Sequence, residues 1–204
     1  MTYKTPQESF WAGEFGDAYI ARNGEESIPQ RARLLAKALE RTSGIRSVIE
    51  FGANTGLNLR ALRQIMPEAE YSAVEINAQA CEALRRQDWI RVHNASILGF
   101  EPRQAFDLVL VQGVLIHIAP DELQSVYRLL CRSSARYLCI CEYYNPTPVE
   151  VPYRGHAGKL FKRDFAGELM EAHREFELLD YGFAYWRDKN LPGDDLTWFV
   201  LRRR

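Results

Sequence analysis

Strand-like and helix-like segments alternate along most of this chain, and that alternation limits the fold more than any other feature. We predict strands at 46–51, 70–75, 89–92, 106–112 and 137–141, and helical patterns at 29–43, 59–66, 77–87 and from Pro120 onward. Strands connected through helices form right-handed βαβ units, which build a mainly parallel sheet covered on both faces. We therefore expect an α/β fold with a doubly wound sheet.

The C-terminal part changes character. Two strand-like runs, 176–186 and 196–201, are joined by the polar, turn-rich stretch 187–195. Two strands joined by such a loop predict an antiparallel pair at one edge of the sheet. With the five strands above, this gives a seven-stranded, mostly parallel sheet with an antiparallel C-terminal strand.

Composition sets limits on partners and compartment. The 204 residues are 47% hydrophobic, which suits one domain over 1–204, and no apolar run approaches the ~20 residues that span a bilayer. Twenty-six basic and 27 acidic residues give a net charge of -1, so no overall field attracts nucleic acid. We expect a cytoplasmic protein that acts on a small molecule, without a nucleic-acid or membrane partner. The sequence does not specify the oligomeric state.

The cysteines do not form a metal motif. They lack the CxxC pairs of zinc sites, and their apolar surroundings suit reduced thiols; they are Cys81, Cys131, Cys139 and Cys141. Cys139 and Cys141 are two residues apart in a predicted strand, so both should face one side of the sheet. We predict core packing for them and no metal site, with a metal or redox role as the alternative.

A glycine-containing turn after the first strand carries the main chemical signal. The apolar run 47–51 contains Glu50 and leads into a Gly-x-x-x-Gly turn formed by Gly52 and Gly56. Glycines permit a sharp turn and close approach of a ligand to the backbone. A dinucleotide fingerprint would need glycines at 52, 54 and 57, but Asn54 and Leu57 stand at the last two. The sequence therefore argues against NAD or FAD.

This turn resembles the acidic-x-Gly-x-x-x-Gly turn of class I methyltransferases, which have a Rossmann-like fold and bind S-adenosyl-L-methionine. The resemblance implies that the turn cradles the methionine and ribose parts of the cofactor through Glu50, Gly52, Asn54 and Gly56. It also implies that Glu75, at the end of the next strand, accepts hydrogen bonds from both ribose hydroxyls. The alternative is that Glu75 is an acid favoured by the dipole of the following helix.

The resemblance assigns two further ligand segments. The stretch after the third strand is expected to hold the adenine through Asn94, Ala95 and Ser96. After the fourth strand, Gln112 is expected to lie near the methionine carboxylate and the reacting methyl group. His117 follows it, and an imidazole there can act as a general base, or it can simply cap the next helix or pack.

Segments 10–16, 49–58 and 159–168 together resemble the pseudaminic-acid-biosynthesis-associated methylases. Similar proteins, the azetidine-2-carboxylate synthases, close the methionine chain of S-adenosylmethionine onto its own amine and release methylthioadenosine. The resemblance implies, in order of preference, methyl transfer to a small-molecule acceptor such as a sugar or biosynthetic intermediate, intramolecular cyclisation, or cofactor binding without catalysis.

Acceptor-side residues are expected just past the fifth strand. Tyr143, Tyr144 and Asn145 lie there, and aromatic faces hold sulfonium or ammonium groups by cation–π attraction. We predict catalytic roles for these three residues and His117. The alternative for the tyrosines is a turn before Pro146 with half-buried rings.

Two flanking segments complete the predicted site. Residues 1–28 form an aromatic N-terminal cap, and most of its rings share one helical face, as a docking helix, a lid over a pocket, or both: Phe10, Trp11, Phe15 and Tyr19. Residues 143–162 form a candidate lid loop. Its basic side chains could recognise an anion or be solvated surface: Arg154, His156, Lys159 and Lys162.

Overall fold

A seven-stranded sheet forms the centre of the computed structural model, which describes residues 3–22, 24–190 and 194–204. Its strands are β1 (Ser47–Phe51), β2 (Glu70–Glu75), β3 (Ile90–Asn94), β4 (Phe106–Gln112), β5 (Ser134–Glu142), β8 (Phe176–Ala184) and β9 (Leu196–Arg203), and a separate hairpin pairs β6 (Val149–Glu150) with β7 (Phe161–Lys162). The order in space is β3-β2-β1-β4-β5-β9-β8. The first five strands are parallel, and β9 runs antiparallel to both β5 and β8. The predicted doubly wound sheet with an antiparallel C-terminal strand is confirmed.

Helices cover both faces of the sheet. They are α1 (Pro6–Ala12), α2 (Glu14–Ile20), α3 (Ile28–Ala38), α4 (Leu57–Ile65), α5 (Ala78–Arg85), α6 (Leu123–Ser133) and α7 (Phe165–Ala172). In β1, Val48 packs into the core beneath α3 and α4, and its neighbour Ile49 packs into the core beneath α6 and α7. Successive strand residues point to opposite faces, so a strand buried on both faces is mostly apolar, and Glu50 is the buried polar residue of β1. No helix in the described ranges has the length and apolar character to cross a membrane.

Two local predictions are wrong. The helix predicted over 29–43 ends at Ala38, and a turn carries the chain on to Gly44, whose φ is 63°. The single aromatic helix expected near the N-terminus is two helices, because Gly13 adopts an extended conformation between them. This break lets the ring of Phe10 stack on that of Phe15, with centroids 4.0 Å apart.

The parallel strands bring their carboxyl ends to one edge of the sheet, where the loops after β1, β2, β3 and β4 meet. Ligands of open α/β sheets bind at this edge. Helices α1 and α2 lie above it, since Asp17 Oδ1 accepts a 2.7 Å hydrogen bond from Asn77 Nδ2 at the start of α5. Residues 191–193, part of the loop predicted between the last two strands, lie outside the described residues.

Candidate functional site

A cavity of about 430 Å³ opens at the carboxyl edge of the sheet. Its floor comes from the loops after β1, β2, β3 and β4, and its roof from α1, α2 and the hairpin that contains Tyr153. The cavity is therefore a space between the sheet and the N-terminal cap, of the size that suits a small ligand.

The turn after β1 is shaped by left-handed backbone. Gly52, Asn54 and Gly56 have φ values of 73°, 47° and 83°. A Cβ atom on Gly52 would lie 2.4 Å from Val114 Cγ2, and one on Gly56 would lie 2.7 Å from Leu84 Cδ2. Both glycines are therefore required by packing within the protein as well as by their dihedral angles. Gly52 lines the cavity, whereas Gly56 lies behind its wall.

Glu75 connects the loops after β1 and β2. Its Oε2 accepts a 2.7 Å hydrogen bond from the Asn54 N–H, and its Oε1 accepts a 2.8 Å hydrogen bond from the Asn77 N–H. Burial raises the pKa of this carboxyl group, and the hydrogen bonds to Asn77 and Asn54 oppose that rise. A carboxylate offers about four acceptor positions. Glu75 lines the cavity, so both oxygens retain capacity to accept from a bound ligand.

Glu50 lies beneath the cavity wall. Its Oε1 accepts a 2.7 Å hydrogen bond from Asn58 Nδ2, and Asn58 Oδ1 accepts one of 2.7 Å from Arg31 Nη1. Complete burial raises the pKa of Glu50 to about 8, against the lowering effects of Asn58 and Arg31. Asn58 and Arg31 line the cavity and Glu50 does not. Glu50 thus positions two side chains that can contact a ligand.

The N-terminal cap is fastened to the loop after β3. Glu8 forms a capping box with Thr5 at the start of α1, and Glu8 Oε1 also accepts a hydrogen bond from the Ser96 hydroxyl. Glu8 Oε2 accepts a 2.9 Å hydrogen bond from the backbone N–H of Thr5. One buried carboxylate therefore fixes both the start of α1 and its contact with the cavity floor.

His117 is held as a neutral imidazole. Its Nδ1 lies 2.5 Å from the carbonyl oxygen of Lys159. A carbonyl can only accept a hydrogen bond, so Nδ1 carries the proton and Nε2 is left as an acceptor. Burial lowers the pKa of His117 to about 4. The rings of Trp11 and Tyr153 lie 4.6 and 4.9 Å from the imidazole.

Glu142, the last residue of β5, anchors the turn that carries His117. Its Oε1 accepts hydrogen bonds from the backbone N–H groups of Val114 and Leu115, both at 2.9 Å. Burial raises its pKa to about 7, and the hydrogen bonds from the turn act in the opposite direction. The turn from Gly113 to His117 is therefore attached to the central sheet by one buried side chain.

Aromatic rings form much of the remaining wall, contributed by Trp11, Tyr19, Tyr143 and Tyr153. The Tyr143 hydroxyl donates a hydrogen bond to Asp194 Oδ2. The pKa of Tyr143 is raised well above its usual value, mainly by burial and secondly by this hydrogen bond. Tyr143 therefore stays a protonated phenol whose single O–H is donated to Asp194, and it cannot act as a base at neutral pH.

Polar atoms without partners are concentrated at the cavity. Among the described residues, six buried side-chain atoms lack a hydrogen-bond partner, and four belong to residues that line it: Gln7 Oε1, Trp11 Nε1, Asn54 Oδ1 and Gln112 Oε1. Nearly all buried polar groups in folded proteins are paired. Their concentration on residues that line the cavity favours a site that holds polar ligand groups or water.

A possible metal-binding group lies away from the cavity. Ligand atoms of Cys131, His173 and Glu175 are within 4.8 Å of one another. Burial raises the pKa of Cys131 to about 12, and thiols bind metal only as thiolates. Arg203 also donates a 2.6 Å hydrogen bond to the Cys131 carbonyl oxygen, which adds positive charge beside the group. The arrangement favours core packing.

Residues 49–133 match a family model described as a methyltransferase domain. The matched range begins inside β1 and ends with α6, so it contains the turn of Gly52, Glu75 and His117. A search of curated proteins finds no match to the chain.

Solved methyltransferase structures have the same fold. The 1,6-didemethyltoxoflavin-N1-methyltransferase of Burkholderia thailandensis, crystallised with 1,6-didemethyltoxoflavin and S-adenosylhomocysteine, gives a TM-score of 0.70 at 16% identity over 100% of this chain and 92% of that one. The plantazolicin methyltransferase BpumL with S-adenosylhomocysteine gives 0.68 at 11% identity, over 97% and 94%. The glycopeptide N-methyltransferase MtfA gives 0.63 at 13% identity, over 86% and 94%. The expected Rossmann-like class I methyltransferase fold is confirmed.

The structure brings most of the predicted site residues to one cavity. Those that line it are Gly52, Asn54, Glu75, Ala95, Ser96, Gln112, His117 and Tyr143. Glu50 and Gly56 support it from behind. Asn94 does not line it: its amide donates to the carbonyl oxygens of Glu75 and Ile76 at 3.0 and 3.2 Å, and so fixes the end of β2.

Two of the predicted catalytic residues are placed elsewhere. Tyr144 is 41% exposed and lines a separate groove next to the cavity. The Asn145 amide is exposed and donates to the Thr147 carbonyl oxygen at 2.6 Å, as expected for a turn. The predicted lid loop 143–162 contains the β6–β7 hairpin, and Lys159 Nζ there donates to the Pro6 carbonyl oxygen at 3.0 Å. Among its described basic residues, Lys162 lines the groove.

Sequence reasoning missed several residues that build the site, among them Asn58 and Arg31 beside Glu50, and three others show what signal, if any, was present. Glu8 had a signal, since Thr5-Pro6-Gln7-Glu8 is a capping-box pattern with proline at the first helical position. The sequence also contains a signal for Glu142, because an acidic residue at the end of a buried strand needs a hydrogen-bond partner. Tyr153 lines the cavity from within a loop, and no local pattern indicates this.

Proposed function

We propose that this chain binds S-adenosyl-L-methionine and transfers its methyl group to a small-molecule acceptor. The observation that carries the proposal is the combination of Glu75, hydrogen-bonded on both oxygens to the loops after β1 and β2, with a cavity whose buried polar atoms lack partners. The methyltransferase-domain match over the same loops supports it.

The residues present fit this cofactor. Glu75 would accept from the ribose hydroxyls, since each of its oxygens keeps acceptor capacity. The backbone at Gly52 and the side chain of Asn54 would face the ribose and methionine parts. Ala95 and Ser96 line the cavity, where they would bound the adenine.

When bound, the cofactor supplies an electrophilic methyl group on a positively charged sulfur. The chain's own residues then have to hold and orient the acceptor. His117 is neutral at pH 7 and presents Nε2 as a hydrogen-bond acceptor, so it can orient a hydroxyl or amine group of the acceptor, while its low pKa makes it a weak base. The rings of Trp11, Tyr19 and Tyr153 exclude water and supply faces that attract positive charge.

Two measurements test the proposal. Calorimetry should detect binding of S-adenosylmethionine and S-adenosylhomocysteine by the full chain, and no binding of either would overturn it. Incubation with S-adenosylmethionine alone then separates the chemistries. A transferase without its acceptor should leave the cofactor nearly intact, because the nucleophile is missing. Release of methylthioadenosine well above the control without enzyme would contradict transfer and assign intramolecular cyclisation.

The finer assignments rest on the sequence resemblance. A sugar or biosynthetic intermediate as acceptor follows from the resemblance to pseudaminic-acid-biosynthesis-associated methylases, and a cytoplasmic location follows from composition. Both stay predictions. Binding without turnover, after a screen of small amines and alcohols for S-adenosylhomocysteine formation, would favour the non-catalytic alternative.

A further inference from the structure

A second concave surface adjoins the cavity on the side of the β8–β9 hairpin. It is an open groove of about 780 Å³ between the β8–β9 hairpin and the segment that follows β5. Tyr143 and Asp194 line both the groove and the cavity. The hydrogen bond between these two residues therefore forms the boundary between the two spaces.

Aromatic rings form one wall of the groove. Phe199 lies between Tyr144 and Tyr181, with ring centroids at 5.9 and 6.3 Å, and Phe183 extends the row. Tyr181 and Phe183 are 65% and 58% exposed. Large exposed apolar side chains that lie next to one another mark a binding surface.

The other residues give the groove a negative charge. It contains three aspartates, Asp164, Asp194 and Asp195, and one cationic side chain, Lys162. The Lys162 ammonium lies 5.0 Å from the centre of the Tyr143 ring. Flat rings combined with an excess of carboxylates are complementary to an organic cation with an apolar or aromatic body.

We propose that this groove is the distal acceptor subsite, and that the acceptor is an elongated amine whose cationic, apolar part lies on Tyr181, Phe183 and Phe199. Its reacting end would pass Tyr143 and Asp194 to reach the cavity. The inference rests on the proposed function, because the groove can be an acceptor subsite only if methyl transfer takes place in the adjoining cavity.

The test uses three probes that share an indole body and differ in charge: tryptamine, tryptophol and indole-3-propionate. Each is titrated into the full chain saturated with S-adenosylhomocysteine, and binding is followed by ligand-observed NMR and calorimetry. Tryptamine should bind about tenfold more tightly than tryptophol, and indole-3-propionate should bind least. Equal binding of all three, or preference for the acid, would overturn the proposal.

Variants locate the binding. Phe183→Ser and Asp195→Asn should each weaken tryptamine binding at least threefold, and asparagine suits the φ of 44° at position 195. Trp186→Ser is the control, because Trp186 is an exposed aromatic residue shortly after β8 that does not line the groove. Tryptamine binding that these groove variants leave unchanged would place the amine elsewhere and contradict the subsite.

The titrations distinguish failure of the proposed function from failure of the groove inference. Failure to bind S-adenosylhomocysteine in the first titration would overturn the proposed function, whereas cofactor binding without amine selectivity would overturn only the groove inference. A second copy of the chain is the competing occupant. Sedimentation that shows a dimer, converted to a monomer by Tyr181→Ser, would show that the rings serve self-association and that the subsite proposal is wrong.

Discussion

The backbone N–H of Asn54 donates a 2.7 Å hydrogen bond to Glu75 Oε2, and this contact joins the turn after β1 to the end of β2. Asn54 has a φ of 47°, which asparagine tolerates better than most residues. The carboxylate therefore has two tasks: it holds the left-handed turn in place and it presents acceptor positions to the cavity. A variant at Glu75 should affect both.

Glu75→Ala should weaken binding of S-adenosylhomocysteine by about 10- to 100-fold, because it leaves hydrogen-bond donors of the turn and of the ligand unpaired. Calorimetry measures this change. Glu70→Ala is the matched control, since Glu70 is an exposed glutamate at the opposite end of the same strand. If Glu75→Ala binds S-adenosylhomocysteine as tightly as the control Glu70→Ala and wild type do, Glu75 is excluded from the ligand site.

Removal of residues 1–20 should leave a folded protein that binds S-adenosylhomocysteine at least tenfold more weakly. In the described ranges, the two hydrophobic core clusters contain buried residues from Ile28 onward, so the sheet does not depend on α1 and α2. The deletion removes Glu8 from Ser96 and Asp17 from Asn77, and it opens the cavity. Circular dichroism tests whether the truncated protein is folded, and calorimetry measures its affinity for S-adenosylhomocysteine.

Deletion of residues 1–3 is the control for that truncation, because Tyr3 is exposed. Affinity equal to the full chain after removal of 1–20 would show that the N-terminal rings only pack on the surface. Loss of the folded circular dichroism signal would show instead that α1 and α2 are needed for folding.

The sheet was predictable because its signal is local. Strands such as β2 and β4 are short segments with an apolar centre, and their predicted bounds agree with the structure at both ends. The turn at Gly52 and the acid at Glu75 were also predictable, because glycine and a strand-ending carboxylate follow from backbone geometry. These features depend on a few neighbouring residues.

The site's roof was less predictable because it depends on distant contacts. Tyr153 reaches the cavity only because its hairpin is held on α1, where Gln7 Nε2 donates to the Gly158 carbonyl oxygen at 2.9 Å. Tyr143 and Tyr144 are adjacent in sequence, yet Tyr144 faces only the groove whereas Tyr143 lies between groove and cavity. Alternation along an extended chain separates them, and composition alone does not show which one faces inward.

His117 should stay neutral, with its proton on Nδ1, from pH 8 down to about pH 5, because burial lowers its pKa to about 4. Long-range ¹H–¹⁵N NMR distinguishes the two neutral tautomers and the charged ring, and the His117→Gln spectrum assigns the signal. A midpoint near 6.5 would contradict the lowered pKa, and a proton on Nε2 would contradict the role of Nε2 as a hydrogen-bond acceptor.

Glu142→Gln should stabilise the protein relative to wild type as pH rises. Burial raises the native pKa of Glu142 to about 7 from 4.5, so between these values the native state binds more protons than the unfolded state, and wild-type stability falls with increasing pH. Glutamine does not titrate, and its amide oxygen can still accept from the Val114 and Leu115 N–H groups. The free energy of unfolding of Glu142→Gln, relative to wild type, should therefore increase by about 1–3 kcal/mol between pH 4.5 and pH 8. Urea unfolding at the two pH values measures it, with the exposed Glu82→Gln as control. A difference from wild type that is the same at both pH values would show that Glu142 is ionised throughout, and that the turn carrying His117 is anchored by a charged group.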